Sequence, residues 1–271
     1  HQLKGLEAHY GVELFERKST PLLFTPAGQR LLKLADEVLA RVDDAERDLA
    51  RLVDGAAGTL RIAVECHTCF DWLMPAMDAL RARWPEVDLD IVSGFHADPV
   101  GLLHQGRADV AIVSESAEGE EPGVAFLPLF AFEILALLPN GHPLLARPHL
   151  TARHFADQTL ITYPVPDEML DVVRCVLKPA GVAPLRRTTE LTVAMLQLVA
   201  SGRGIAALPL WAVKSYLDRG YVASRRIGAR GLVGRLYAAV PDRLHERPWL
   251  LEFVRLMREM SWLNLPEVRL L

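Results

Sequence analysis

The chain has 271 residues, enough for about two domains, and its 51% hydrophobic and 24% charged residues exclude a disordered chain. A net charge of −4 argues against a protein coated in nucleic acid. Three cysteines exclude a disulfide-stapled secreted scaffold and are typical of a reducing compartment.

The N-terminal residues predict a helix followed by a hairpin or wing. Residues 1–10 show helical apolar spacing, and Gly11 is a stop signal. Two short apolar pieces within residues 12–24 flank a polar, turn-forming stretch. Because the sequence starts at His1 inside a helical pattern, we expect further residues upstream of it.

A long amphipathic helix follows, with Thr25 as its N-cap and Pro26 as its first residue. One stripe repeats at alternating spacings of three and four: Leu32, Ala35, Leu39, Val42, Glu46, Leu49 and Val53. The pattern ends at the glycine-rich linker 55–58. The stripe fits a helix lying on its own domain, but this length between a small and a large module favours dimerisation with a second chain.

Strand-like and helix-like segments alternate from residue 59 onward. The predicted strands are 60–64, 87–91, 110–113, 133–138, 159–162, 204–208 and 236–240. The predicted helices are 70–84, 99–106, 166–180, 191–201 and 248–263. Alternation of this kind predicts α/β sheets with helices on both faces, and about 210 residues are too many for one sheet. We therefore expect two α/β lobes, no transmembrane segment and a cytoplasmic location.

The N-terminal residues resemble the LysR-type transcriptional regulators. Leu6-Glu7, Gly11, Leu14-Phe15 and Arg17 match the pattern LE-x-x-x-G-x-x-LF-x-R, and Thr25-Pro26-Ala27-Gly28 matches T-x-AG before a linker helix. The order of linker helix, two lobes and a Gly-His-Pro-Leu turn at 141–144 extends the resemblance over the whole chain.

The resemblance implies an α/β effector region of two Rossmann-like (periplasmic-binding-protein-like) lobes, preceded by a truncated winged helix-turn-helix and a long linker helix. The implied domains are 1–25 for the winged helix-turn-helix, 26–54 for the dimerisation helix and 59–271 for the effector-binding domain. Lobe I comprises 59–136 plus 238–271, and lobe II comprises 137–237. The implied partners are double-stranded promoter DNA, further copies in a dimer or tetramer, and RNA polymerase, with no membrane.

The first residues are suited to DNA. In a helix-turn-helix the second helix reaches base edges and wing residues hold phosphates, which assigns His1, Gln2 and Lys4 to the groove. Arg17 and Lys18 fall at the wing. Scattered basic residues are also common on solvated surfaces, so the family pattern carries the assignment. Residues 1–34 carry a balance of +2, and the acidity therefore lies downstream.

The stretch Glu65 to Leu73 follows the first strand of the large region. Cys66 and Cys69 have C-x-x-C redox spacing at a strand-to-helix turn. A zinc site is disfavoured, because Cys175 is the one further thiol and adjacent ligands rarely converge on one ion. The third interpretation is an anion site at the helix N-terminus, which fits a doubly wound lobe.

This stretch and the segment Ser93 to Pro99 resemble the methionine-biosynthesis activators within the LysR family, whose members sense homocysteine. The resemblance therefore implies homocysteine as the effector, with no cofactor and no metal. The candidate effector residues are His67, Thr68 and Cys69 for the carboxylate, Glu115 for the ammonium, Ser114 and Thr162 to bridge the cleft, and Phe95 and Ile205 for an apolar slot.

Enzyme motifs are missing from the sequence, which favours a protein that is not an enzyme. The sequence contains no P-loop motif and no G-x-S-x-G nucleophile elbow. Gly202-x-Gly204 has too few glycines for a dinucleotide-binding loop. Three alternatives stay open: a LysR-type regulator of a different small anionic metabolite, a solute-binding module without DNA function, and a thiol redox protein or sensor using Cys66 and Cys69.

Overall fold

The computed structural model describes residues 2–16, 23–54, 58–64, 69–92, 98–114 and 121–271. Its N-terminal part consists of helix α1 (Gln2–Tyr10) and the long helix α2 (Pro26–Asp54). Between them Phe15 and Phe24 form an antiparallel bridge, with their rings 4.8 Å apart. The base of the predicted hairpin is thus present, whereas its tip lies outside the described residues.

The motif residues of this N-terminal module hold it together. The Glu7 carboxylate accepts the N–H of Leu14 at 2.8 Å, and Gly11 ends α1 with a φ of 66°. The Thr25 hydroxyl accepts the N–H of Gly28 at 3.1 Å, which confirms the predicted N-cap. A Cβ on Gly28 would stand 2.0 Å from the Leu14 carbonyl oxygen, so glycine permits α2 to start against this residue.

Strands and helices alternate in the remainder of the chain. The strands are β1 (Gly58–Val64), β2 (Val87–Ile91), β3 (Val110–Ser114), β4 (Val124–Leu138), β5 (Thr159–Thr162), β6 (Leu185–Thr188), β7 (Ile205–Pro209), β8 (Ala223–Arg226), β9 (Leu232–Pro241) and β10 (Arg269–Leu270). The helices are α3 (Phe70–Arg83), α4 (Pro99–His104), α5 (Thr192–Ala200), α6 (Leu210–Asp218) and α7 (Pro248–Asn264).

These strands form a sheet of order β2-β1-β3-β9-β4-β7-β5-β6, in which β8 and β10 also pair with β4. Strands β1, β2 and β3 are parallel in lobe I, and β5, β6 and β7 are parallel in lobe II. The antiparallel pair β4 and β9 joins the two parallel sets. Two α/β lobes therefore share long strands, which confirms the predicted fold class.

Each lobe has buried apolar packing. In lobe I, α3 packs against α7, and Trp72, Phe130 and Phe253 are fully buried. In lobe II, α5 buries Leu196 and Val199 against the strands. None of the helices in the described part of the chain is both long and apolar enough to cross a membrane.

Several predicted elements differ in the structure, among them strand β9, which starts at Leu232 rather than at 236. The helix expected over 166–180 is broken into a 3₁₀ turn at Asp167–Met169, a π-helical turn at Val173–Leu177 and a 3₁₀ turn at Lys178–Ala180. Proline at 166 and 179 and three β-branched valines oppose a regular α-helix there. Strand β4 is longer than the predicted 133–138, because a bulge between Pro128 and Phe130 accommodates the proline.

Candidate functional site

A cavity of about 110 Å³ lies where strand ends from the two lobes meet, and we call it the inter-lobe cavity. It is lined by Cys69, Ile112, Ser114, Phe132, Ile134, Thr162, Tyr163, Val165, Met169, Leu170, Asp171, Val172, Met195, Ala207, Leu208, Pro209, Trp211 and Leu236. Ser114 ends β3 in lobe I, and Thr162 ends β5 in lobe II. Ligands of doubly wound sheets bind beyond the carboxyl ends of strands, so this is the candidate ligand site.

The inter-lobe cavity is small and mainly apolar. Sites for drug-sized ligands occupy about 300–1,000 Å³, so this one is suited to a compact metabolite. Met169, Met195 and Phe132 belong to its lining, and the Phe132 ring meets the Trp211 ring edge-on with centroids 6.0 Å apart. Such an edge-on contact is a favourable arrangement of two aromatic rings.

Asp171 brings a carboxylate to the inter-lobe cavity. Its Oδ1 accepts a hydrogen bond from Arg174 at 2.5 Å, and the Asp171 side chain is 13% exposed. Among the described lining residues, Asp171 is the one acidic or basic side chain. The charge of Asp171 is thus balanced by a neighbour, and the described wall carries no cationic excess.

Two residues of the lining each carry a buried polar atom that has no hydrogen-bond partner among the described residues. These polar groups are the hydroxyl of Thr162, in a residue 5% exposed, and the indole N–H of Trp211, in a residue 6% exposed. The neighbouring Tyr163 hydroxyl is 2.6 Å from the Thr192 hydroxyl, which ties β5 to the start of α5. Thr162 therefore lies on a strand end that this hydrogen bond connects to α5.

The structure brings three predicted effector residues together at this cavity: Cys69, Ser114 and Thr162. Cys69 occupies the N-cap position of α3 and is 2% exposed. Ile205 is placed elsewhere, because its side chain is fully buried in the core and does not line the cavity. Ala207 and Leu208, further along β7, form the apolar wall that we expected from Ile205.

Four other predicted effector residues, His67, Thr68, Phe95 and Glu115, lie outside the described residues. The predicted DNA contacts His1, Arg17 and Lys18 also lie outside them, and Gln2 is described only as part of α1. Lys4 is exposed on α1, as a DNA-facing side chain requires. The roles of all these residues remain predictions.

Sequence reasoning missed Asp171 and Trp211. Trp211 stands two residues after the end of β7, so the strand-end rule that selected Thr162 would also have selected it. Asp171 does not follow a predicted strand, because it lies in the segment 166–180 that the sequence predicts as a helix.

Helix α2 exposes an apolar stripe within the described residues. Leu32, Leu39 and Val42 are 44%, 60% and 45% exposed. These positions belong to the predicted dimerisation stripe. No group of three or more His, Cys, Asp or Glu with the geometry of a metal site occurs in the parts of the chain that the structure describes.

A helix followed by the base of a hairpin, a long helix and a two-lobed α/β unit with a cavity at its strand ends have the organisation of a ligand-responsive transcriptional regulator. Residues 54–262 match the family model of the LysR substrate binding domain, and the chain belongs to the LysR family of transcriptional regulators. The HTH-type transcriptional regulator MetR of Haemophilus influenzae is 54% identical over 271 residues, covering 100% of this chain and 87% of the relative. MetR of Escherichia coli K12 is 40% identical over 269 residues, covering 99% and 83%.

Solved structures agree with this assignment. The regulatory domain of MetR (NMB2055) from Neisseria meningitidis is 55% identical, with a TM-score of 0.72, and covers 79% of this chain and 98% of that one. Full-length BenM has a TM-score of 0.63 at 19% identity, covering 98% of this chain and 88% of that one, and shows the shared fold alone.

Proposed function

We propose that this chain is a homocysteine-responsive transcriptional regulator of methionine-biosynthesis genes. The relatives named MetR support the regulatory role. The observation that carries the effector assignment is the small inter-lobe cavity, where polar groups from both lobes stand among methionines and aromatic rings.

The three chemical groups of homocysteine each have candidate partners. His67, Thr68 and Cys69 at the start of α3 are proposed for the carboxylate, with Ser114 and Thr162 bridging the lobes. Glu115 is proposed for the ammonium, and Asp171 joins it because its carboxylate lines the cavity. The apolar arm is proposed to lie against Met169 and Met195, with Phe95 as a further apolar contact.

Charge favours this ligand over a purely anionic metabolite. A zwitterionic amino acid has no net charge and needs both an acceptor and donors. The described lining holds no cationic side chain for an anion, and its one charged group, the Asp171 carboxylate, is an acceptor suited to an ammonium. A different small anionic metabolite remains the alternative effector.

The remaining parts of the chain complete the proposed mechanism. Residues 1–25 read promoter DNA through Gln2, Lys4 and the other predicted contacts, 26–54 dimerise, and 59–271 bind the effector. Homocysteine favours one arrangement of lobe I (59–136 plus 238–271) relative to lobe II (137–237), and α2 passes that change to the DNA. Further association to a tetramer and contact with RNA polymerase belong to the same proposal.

The test is a mobility-shift assay on a methionine-pathway promoter combined with calorimetric titration of L-homocysteine. We expect retardation of the DNA, binding of homocysteine and a change in the shifted complex when homocysteine is present. Unchanged DNA binding and transcription with homocysteine, together with a response to another metabolite, would show that the effector assignment is wrong.

A thiol sensor is the second candidate. Cys66 and Cys69 have redox spacing, and a solved variant of the Neisseria meningitidis MetR regulatory domain carries serine for two cysteines that are also three residues apart. The burial of Cys69 disfavours access by an oxidant. Replacing Cys66 and Cys69 by serine tests the thiol sensor, since a retained homocysteine response rules it out.

A further inference from the structure

Three buried hydrogen-bonding groups outside the ion-pair networks need an explanation: the indole N–H groups of Trp72 and Trp211 and the hydroxyl of Thr162. None of the three has a partner among the described residues. Burial of such a group costs free energy, so native structures keep few of them and each one calls for an explanation. Trp72 and Trp211 both belong to the buried core, but Trp211 and Thr162 line the inter-lobe cavity and Trp72 does not.

The fold places Trp211 and Thr162 at the same edge of lobe II. Strands β5 and β7 are parallel neighbours, with Ile161 paired to Ala206. Thr162 ends β5, and Trp211 follows the end of β7 by two residues. Thr162 therefore stands at the carboxyl end of one strand and Trp211 in the first turn of α6, directly after the neighbouring strand, which is the region where a ligand of this sheet is expected.

The chemistry of the indole restricts its ligand partner. An indole N–H only donates, so its partner must be an acceptor oxygen, whereas the Thr162 hydroxyl donates or accepts. A carboxylate has two oxygens that each accept more than one hydrogen bond. It can be held by lobe II through these two side chains and by lobe I through the start of α3.

We propose that the Trp211 indole N–H and the Thr162 hydroxyl donate to the carboxylate of the effector, which makes Trp211 a specificity-determining residue for an α-amino acid ligand. This inference rests on the proposed effector function and adds the lobe II half of the carboxylate site. Since the carboxylate satisfies donors of both lobes only when the lobes approach, it also gives the ligand a preference for one lobe arrangement.

The test compares Trp211→Phe and Thr162→Val with Trp72→Phe. The control also loses a buried indole N–H, but away from the cavity. We expect each cavity variant to weaken L-homocysteine binding about tenfold in calorimetry, as loss of a hydrogen bond to a charged group requires. Binding of 3-aminopropane-1-thiol, which lacks the carboxylate, should be unchanged. Equal losses for both ligands would assign Trp211 a role in cavity shape and overturn the proposal.

A second measurement needs no variant to fold. With all five tryptophans labelled with nitrogen-15, the indole signal of Trp211 should move on addition of L-homocysteine while that of Trp72 stays in place. A wild-type chain that ignores homocysteine but shifts this signal with L-cysteine or L-methionine overturns the effector assignment and keeps the donor pair. A Trp211 signal that ignores all three amino acids overturns the donor pair.

Discussion

Asp171 shows how a single residue enters a site that sequence patterns do not reveal. An aspartate three residues before an arginine also fits a solvated helix face. In the structure, the broken helical segment presents Asp171 to the inter-lobe cavity, and β9 comes so close that a Cβ on Gly234 would lie 3.2 Å from its Oδ2. The cavity position depends on tertiary packing, so the sequence predicts the Thr162 side of the site but not this one.

Asp171→Asn should weaken homocysteine binding about tenfold, because the ligand ammonium loses a charged acceptor. Titration with 4-mercaptobutanoate, which has no amino group, should show no such loss. Asp167→Asn is the matched control. Asp167 lies in the same segment as Asp171 and forms ion pairs with Lys178 and Arg186, but it does not line the cavity. Equal weakening by both variants would contradict an ammonium contact at Asp171.

At the scale of elements, α3 and α7 are held together by charge as well as by apolar packing. Glu252 of α7 accepts hydrogen bonds from Arg255 on its own helix and from Arg83 at the end of α3. The hydrogen bonds from Arg255, with those from Arg83, lower the pKa of Glu252 from 4.5 to about 2. The charged carboxylate is therefore stabilised in the folded chain.

Glu252→Gln should lower the free energy of unfolding at pH 7 by about 1 kcal/mol, a modest figure because the half-exposed guanidinium partners are screened by water. The folded pKa is below the unfolded one, so the contribution is complete above pH 4.5 and is lost as the pH falls toward about 2. The free energies of unfolding of variant and wild type should therefore become equal at low pH, which urea titrations at several pH values measure. Glu259→Gln is the control, because Glu259 contacts only Arg255 of this group, and it should change the stability less. A stability difference for Glu252→Gln that does not depend on pH would contradict the link between the lowered pKa and stability.

Helix α2 can be predicted from the sequence because its signals are local: a Thr-Pro start and an apolar heptad stripe. The short turns after β5 cannot be predicted in this way, because they depend on prolines and on packing over the cavity. Strand β6 was missed for another reason, since all four of its residues are exposed and none marks a buried face.

Leu39→Glu in α2 should weaken self-association of the chain at least about tenfold, because the variant would bury a charge in the stripe. Sedimentation velocity over a concentration series measures the change. Arg41→Glu, at an exposed position on the other side of the helix, is the control and should associate like the wild type. Unaltered association of Leu39→Glu would place the dimer contact elsewhere.

At the scale of the whole molecule, charge is strongly divided. Residues 137–237 hold thirteen Lys and Arg against six Asp and Glu, a net charge of +7, which leaves −11 for the rest of the chain. The whole-chain value of −4 hid this division. Strand β4 crosses between the two regions, pairing with β9 up to Ile134 and with β7 from Ile134 onward.

Because this crossing is a hydrogen-bonded ladder, its amides should resist hydrogen exchange both with and without effector. The Glu133–Arg226 ion pair, 2.7 Å between carboxylate and guanidinium, lies at the same place. Exchange followed by mass spectrometry should show effector-dependent protection in the cavity segment 165–172 and little change in 132–136. Rapid exchange of the crossing in the ligand-free chain would contradict a stiff connection.

The close seating of α2 on Leu14 has a mechanical consequence. The glycine contact brings the start of α2 directly against Leu14, so we expect α2 and the N-terminal module to move together. Its 29 residues span about 44 Å at a rise of about 1.5 Å per residue. A tilt of about 5° at the effector end therefore displaces the reading end by about 4 Å, close to the base-pair step of about 3.4 Å. In the proposed mechanism, a lobe rearrangement that tilted α2 by a few degrees would therefore displace the N-terminal module by about one base-pair step.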